Sequence, residues 1–307
     1  MSFAEPSIMP SFRRPASRVA ILRADSYDCD LASLLFETIC EFKLNVKGKT
    51  VLLKPNFVGP DPRNVMNTHP AVVAAAREGF LRLDAARVVV AEGPALERDT
   101  EAILEVIRLG NYLGPLQHTF VDLNVDDVHP VTLRTRASSL KRLYLPATAL
   151  AADFVVSMPQ LKTHHWAGVT LSLKNMFGIV PGRCYGWPKN VLHWAGISKS
   201  ILDLNSTVRP DFAIVDGIVA MEGNGPTQGQ ARASGVLVLG NDPVAVDATC
   251  ARVMGLVPSR IEYLRKAGIL LGNLAEEKIE HIAETIASVA QPFAVVSEFQ
   301  NLKAESH

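Results

Sequence analysis

Two lysines, two adjacent histidines, a tryptophan and a Lys-Asn pair fall within one stretch of the chain, Ala152–Gly182, reading ADFVVSMPQLKTHHWAGVTLSLKNMFGIVPG. Amines and imidazoles this close in sequence are suited to holding an anion and moving a proton. Phe154, Val155 and Val156 read as a strand covered on both faces. Pro159 has no N–H to donate and is expected to stop the ladder. Lys162, Thr163, His164 and His165 then fall just past a strand's carboxyl end, where open α/β sheets bind their ligands.

Lys54, Lys162 and Lys174 are each a point charge for phosphate or carboxylate. With a lowered pKa the same amine serves as a base or an imine former. Taken singly, each also reads as a solvated surface lysine. His164 and His165 offer a general acid/base or a metal ligand, and His193 is a candidate to complete the set. A core histidine bonded to a backbone carbonyl is the plainer alternative for His193. Glu92, Asp203, Asp216, Glu222, Asp242 and Asp247 supply carboxylates enough for a divalent ion. Neither HxxxH nor HExxH occurs, so no metal ligand is assigned and a divalent ion stays an open alternative.

Gly223, Gly225 and Gly229 resemble a dinucleotide fingerprint only superficially, because Pro226 interrupts the spacing and a strand follows where a helix is required. An anion-cradling loop or a plain turn both remain readings of EGNGPTQG. Gly178, Gly182 and Gly186, with Tyr185 and Trp187, read as a mobile lid or as a structured surface loop. No serine has the GxSxG strand–turn–helix context. Cys184 has nothing local to activate it, and Cys250 within an apolar helix reads as core.

The elements needed to position these groups follow a repeating order. Strands are expected over Arg18 to Ala24, Thr50 to Leu53 and Arg87 to Ala91, with helices over Leu31 to Phe42, from near Pro70 behind a Thr68 cap, and over Asp99 to Leu109. This β-α-β-α-β-α order implies a parallel sheet with helices on both faces. His118 to Leu123 reads as a short strand, and His129 to Arg134 with Lys141 to Leu145 as an antiparallel hairpin annex. Beyond the central stretch come an amphipathic helix, Asn190 to Asn205, then strands at Phe212 to Val215 and Gly235 to Leu239. A helix capped by Asp242 and Pro243 runs through Met254. A short helix covers Arg260 to Lys266, and Lys278 to Ala283 reads as strand. Five polar tips follow strands: Lys54-Pro55-Asn56, Glu92-Gly93-Pro94, Pro159 to His165, Asp216-Gly217 and Asn241-Asp242-Pro243. Parallel strands would gather all five along one rim. Residues 1–16 read as a loose arm, 17–300 as one α/β domain (or two subdomains meeting near 150), and 301–307 as a tail.

Composition limits the class of partner. The chain has 307 residues, 48% hydrophobic and 20% charged, with 31 Lys+Arg against 31 Asp+Glu. Zero net charge and the lack of a basic stripe argue against nucleic acid. No apolar run reaches the ~18 residues of a membrane span. Arg13-Arg14 is not followed by a signal-peptide apolar region. The four scattered cysteines are expected as buried thiols, and the protein is expected in the cytoplasm without a membrane. Oligomeric state is not legible.

The motifs LLKPN at 52–56, THP at 68–70, PQLKTH at 159–164, SLKNMFGIVPG at 172–182, VDGIVAMEGNGP at 215–226 and DPVAVDA at 242–248 together resemble the DUF362 family. The family name records an unknown function. Many members carry an added ferredoxin-like module with iron–sulfur cysteines; this chain lacks those cysteine runs, so no cluster is carried over and the cofactor stays unknown. The resemblance implies that Lys54, Asn56, His69, Lys162, His164, Lys174, Asn175, Asp216, Glu222, Asn224, Asp242 and Asp247 are motif positions. The reading reached is an enzyme acting on a small anionic molecule. Lys162, His164, His193, Asp216 and Glu222 would be catalytic, with Asp216 or Glu222 orienting the imidazole. Lys54, Asn56, Lys174, Asn175 and Asn224 would bind substrate. The alternatives are a redox accessory using a borrowed flavin or a partner's cluster, and a non-catalytic metabolite- or metal-binding protein.

Overall fold

A computed structural model describes residues 14–95 and 99–305. Twelve strands carry the description: β1 (Ser17–Arg23), β2 (Thr50–Pro55), β3 (Arg87–Glu92), β4 (Phe120–Asp122), β5 (Val128–Thr132), β6 (Arg142–Pro146), β7 (Phe154–Met158), β8 (Gln160–His164), β9 (Gly168–Thr170), β10 (Phe212–Asn224), β11 (Gln228–Gly240) and β12 (Ile279–Ala283). The main sheet runs β12-β1-β11-β10-β7-β2-β3-β4, with β8 and β9 attached through β10. Its β10-β7-β2-β3-β4 half is parallel throughout. β11 is antiparallel to both β1 and β10, which makes the sheet mixed. β5 and β6 form the separate antiparallel hairpin.

Alternation along the strands splits the core in two. Val19, Ile21, Leu52 and Val89 face one side, packed with the helices Ile197–Thr207, Pro243–Val253 and Glu262–Leu270. Ala20, Leu22, Leu53 and Val88 face the other, against Leu31–Glu41 and Pro70–Arg82. The α/β architecture with helices on both faces and a hairpin annex is thus the one the element order implies.

Several local expectations need correction. Pro159 does not end strand structure: it separates β7 from β8, which leaves β2, pairs further along β10 and gains β9 as a partner. β10 and β11 each run for 13 residues, so the glycine-rich segment is mostly ladder and only its tip is a turn. Asp216 therefore lies inside β10, beside a register shift at Gly217/Val219, and not at a strand's end. Because β11 is antiparallel to β10, Asn241-Asp242-Pro243 emerges at the opposite edge; the tips at Asn56, Glu92-Gly93 and Pro159 share the rim. Asp242 does cap its helix there, accepting from Val244 N and Ala245 N. His69, not Thr68, caps the helix at Pro70 through Nδ1. The helix expected from Asn190 to Asn205 is two, Asn190–Trp194 and Ile197–Thr207, broken at Gly196, whose φ of 95° favours glycine. Three of the four cysteines, Cys29, Cys40 and Cys184, are exposed; Cys250 is buried.

Of the expected arm, residues 1–13 lie outside the described residues, while Arg14 donates to the carbonyls of Gly268 and Gly272. Leu302, inside the expected tail at 301–307, is buried. Among the described residues no helix is long and apolar enough to cross a membrane.

Candidate functional site

β8 leaves the carboxyl edge of the parallel strands and pairs with the far half of β10, Met221 opposite Lys162. This raised β arm forms one wall of a cavity of about 230 Å³. The strand ends at Asn56 and Glu92, and the turns between Ser172 and His193, form the rest. Lys162 is fully buried on β8, opposite Thr170 of β9 and Met221 of β10, and its ammonium donates to Met66 O at 2.6 Å. Met66 sits in the loop that Thr68 holds, through hydrogen bonds to Asn56 and Met158.

Lys54 lies behind the cavity. Its ammonium donates to Glu92 Oε2, to Asn175 Oδ1 at 3.0 Å and to its neighbour Pro55 O. Asn175 returns a bond to Lys54 O and another to Ser157 Oγ. Asp247 holds the turn carrying Lys174 and Asn175, accepting from Ser172 N at 2.7 Å and Leu173 N at 3.0 Å. A Cβ at Gly178 would overlap both Glu92 Oε1 and Lys54 Nζ, which requires glycine there. Lys189, 1% exposed, donates to the carbonyls of Gly93 and Gly178 and so clamps the two loops together.

The electrostatics are one-sided. Lys54, Lys162, Lys174 and Lys189 surround or back this small volume with Glu92 as their near carboxylate. Burial, then the neighbouring Lys174, draws Lys162 down to about 7. Burial and then Lys54 draw Lys174 to about 7. Lys189 is lowered to about 7 by burial, with Glu92 opposing. Burial lowers Lys54 as well, against the pull of Glu92.

The two histidines of KTHH adopt opposite tautomers. His164 Nδ1 accepts from Trp166 N (3.0 Å) and Ala167 N (3.3 Å), so its proton resides on Nε2. Burial first, then the surrounding lysines and histidines, holds its pKa far below the usual imidazole range. This imidazole stays neutral and donates. His165 Nδ1 faces Gly225 O at 2.7 Å; a carbonyl only accepts, which puts the proton on Nδ1 and leaves Nε2 as an acceptor. Both rings line the cavity, 5.1 Å apart between centroids. His193 lines it too, edge-on to Trp166 and Phe177, its pKa lowered by burial and by Lys174. Among the described residues, three lining atoms are buried without a hydrogen-bond partner: Asn56 Oδ1, Thr170 Oγ1 and His193 Nδ1. Such atoms are costly unless something arrives to pair with them.

The structure thus brings together Asn56, Lys162, His164, Lys174, Asn175 and His193, with Lys54 directly behind. It places three other candidates elsewhere. Asp216 is buried between Tyr27 and His69, and neither it nor Glu222 lines the cavity. Glu222 pairs with Arg232 at 2.8 Å and accepts from Ala294 N. Asn224 donates to Gln228 Oε1 at the hairpin tip. Neither carboxylate bonds a histidine ring of the cavity; backbone groups orient His164 and His165 instead. The segment read as a lid or a structured loop, Gly178 to Trp187, consists largely of short helical turns, and Gly178 lines the cavity. Sequence reasoning missed Lys189 altogether and assigned no role to Thr170; a lone lysine in a Trp-Pro-Lys-Asn loop carries no spacing signal. Among the described residues no group of three or more His, Cys, Asp or Glu is placed to hold a metal ion.

Comparison with known proteins gives the chain its family. Residues 51–252 match the model of the domain of unknown function DUF362, and the chain belongs to that family. It is 32% identical over 257 residues to the thylakoid-associated protein sll1697 of Synechocystis sp., covering 79% of this chain and 76% of that one. Among solved structures, the lactate racemase apoprotein from Thermoanaerobacterium thermosaccharolyticum aligns with a TM-score of 0.46 at 14% identity. That alignment covers 78% of this chain and 57% of the other, so the chain spans little more than half of that protein's length.

Proposed function

We propose that this DUF362 member is an enzyme that binds a small carboxylate- or phosphate-bearing molecule in the lysine-lined cavity and moves a proton on it. The observation that carries the reading is the imbalance of three lining lysines, with Lys54 behind them, against Glu92 around a small cavity. A bound anion restores the charge that burial takes from Lys162, and beside buried amines each contact is worth more than at a surface. The volume lies below the ~300–1,000 Å³ of pockets for drug-sized ligands, which favours a molecule of few heavy atoms. His164, fixed as a neutral donor, suits polarising a substrate oxygen, while His165 Nε2 suits accepting a proton.

The test has two arms. Inorganic phosphate, acetate, malonate and pyruvate are titrated into the wild type and Lys162→Met; at least one anion should bind the wild type and lose about tenfold or more in the variant. Equal affinity would remove the assignment. Acetate, malonate and pyruvate are then each incubated with the protein in D2O, and deuterium wash-in at the carbon-bound hydrogens of each is followed by NMR. Binding without wash-in for any member would favour the non-catalytic binding alternative.

A further inference from the structure

The four lysines are not equivalent. Lys54 donates to a carboxylate, an amide oxygen and a carbonyl; Lys162 to Met66 O; Lys189 to two carbonyls. Lys174 differs. Among the described residues its nitrogen meets no oxygen acceptor; it lies 4.0 Å from the centroid of the Phe177 ring, and it lines the cavity. Lys174 is half-buried, and an ammonium facing an aromatic ring with no oxygen acceptor is favoured in the neutral form. A neutral amine has a free lone pair. Three lysines are therefore engaged by oxygen acceptors, and the fourth is presented to the cavity as a nucleophile.

Resting on the anion-binding reading above, we infer that Lys174 forms an imine with the carbonyl carbon of a small 2-oxo acid whose carboxylate lies against Lys162. The Nζ lone pair forms the C–N bond while the carbonyl π pair moves to oxygen. The oxygen takes up a proton and the nitrogen loses one, giving the neutral carbinolamine. A second proton delivered to that hydroxyl lets the C–O bond break; water leaves, the nitrogen gives up its remaining proton and C=N is complete. The sum is amine plus carbonyl giving imine plus water, and no oxidant or reductant enters. The cavity holds groups for these transfers. His164 Nε2–H is a donor, while His193 Nδ1 and Thr170 Oγ1 lack partners among the described residues. The Lys174 pKa of about 7, set by burial and then by Lys54, agrees with a reactive amine at neutral pH. The adjacent charge of Lys162 is what selects a 2-oxo acid over a neutral ketone or aldehyde.

Borohydride trapping tests this. The wild type is mixed with pyruvate, reduced with sodium borohydride and analysed by intact mass and peptide mapping. The expected result is one reduced pyruvyl adduct on the peptide bearing Lys174. It should form about tenfold or more faster than the acetone adduct and be slowed similarly in Lys162→Met, the loss of one charge-assisted contact. Lys174→Met should carry no adduct; mapping on the wild type gives the same information if that variant does not fold. An adduct on Lys162 or Lys189 overturns the assignment. Pyruvate binding without any adduct overturns the imine while leaving the anion site standing. Failure of pyruvate, phosphate, acetate and malonate alike to bind overturns both.

Discussion

The lysine cavity and the Tyr27–His69–Asp216 cluster are built from the same materials and end in opposite states. Both bury charge beside the β8–β10 pair, and both contain a histidine against an aromatic ring. In the cluster the Asp216 carboxylate, the Tyr27 hydroxyl and His69 Nδ1 all find partners. Asp216 accepts from His69 N at 2.8 Å, from Ile218 N at 3.3 Å and from Tyr27 OH. His69 stacks on Tyr27 with ring centroids 3.7 Å apart while its Nδ1 caps a helix. In the cavity an amine, an amide oxygen, a hydroxyl and an imidazole nitrogen line an open volume without partners among the described residues. Burial alone does not distinguish function from architecture. Completed hydrogen bonding marks the cluster as a joint tying β10, the N-terminal Tyr27 segment and the loop after β2. Incomplete hydrogen bonding in the cavity is what supports the proposal of a ligand site there.

The largest effect that would sharpen this contrast is on ligand handling. Lys162→Met should reduce turnover about 10²-fold or more, as loss of a charge-stabilising donor does, with the circular dichroism of the wild type retained. Next, Glu92→Gln leaves Lys54 buried without its counter-charge. Urea unfolding should register a loss of about 3–5 kcal/mol, the usual result of breaking a buried pair from one side. Asp216→Ala should cost about 3 kcal/mol by the same measurement, from donors left unpaired, yet change anion affinity much less than Lys162→Met. If Asp216→Ala abolished binding while unfolding at the wild-type urea midpoint, the division between joint and site would be broken.

The smallest effect concerns pH. Lys162, Lys174 and Lys189 have folded pKa values of about 7 against an ordinary 10.5, so above pH 7 the unfolded chain binds more protons than the folded one. Stability of the unliganded protein should therefore rise from pH 7 to pH 9. Lys162→Met should flatten that limb by up to ~1.4 kcal/mol per pH unit, one proton's share. A limb of unchanged slope in the variant would mean that Lys162 remains fully charged in the folded state.

How much of this was legible in the sequence depended on the range of the interaction involved. Strand and helix positions are local patterns, and the parallel core, the annex and the Asp242-Pro243 cap could be read from them. The rim at Lys54-Pro55-Asn56 and Glu92 was visible because polar residues there interrupt apolar runs. Long-range pairing was not visible. Pro159 stops one ladder, but nothing local shows that Gln160 to His164 begin another on β10. Asp216 looked like a strand's end because β10 was read as stopping at Val215, whereas its 13 residues pair with β11 to the hairpin tip. Lys189 reaches Gly93 across 96 positions of sequence, a contact that no spacing rule encodes. The pairing of His164 and His165 was readable; their opposite tautomers depend on backbone groups set by the fold.

Calorimetric titration of the wild type at pH 8 with phosphate, acetate, malonate and pyruvate, in two buffers of different ionisation enthalpy, tests the central claim directly. If buried lysines with pKa values near 7 meet the anion, at least one of these should bind with uptake of protons, after correction for the anion's own titration. Binding without proton exchange, or no binding by any of the four, would contradict it.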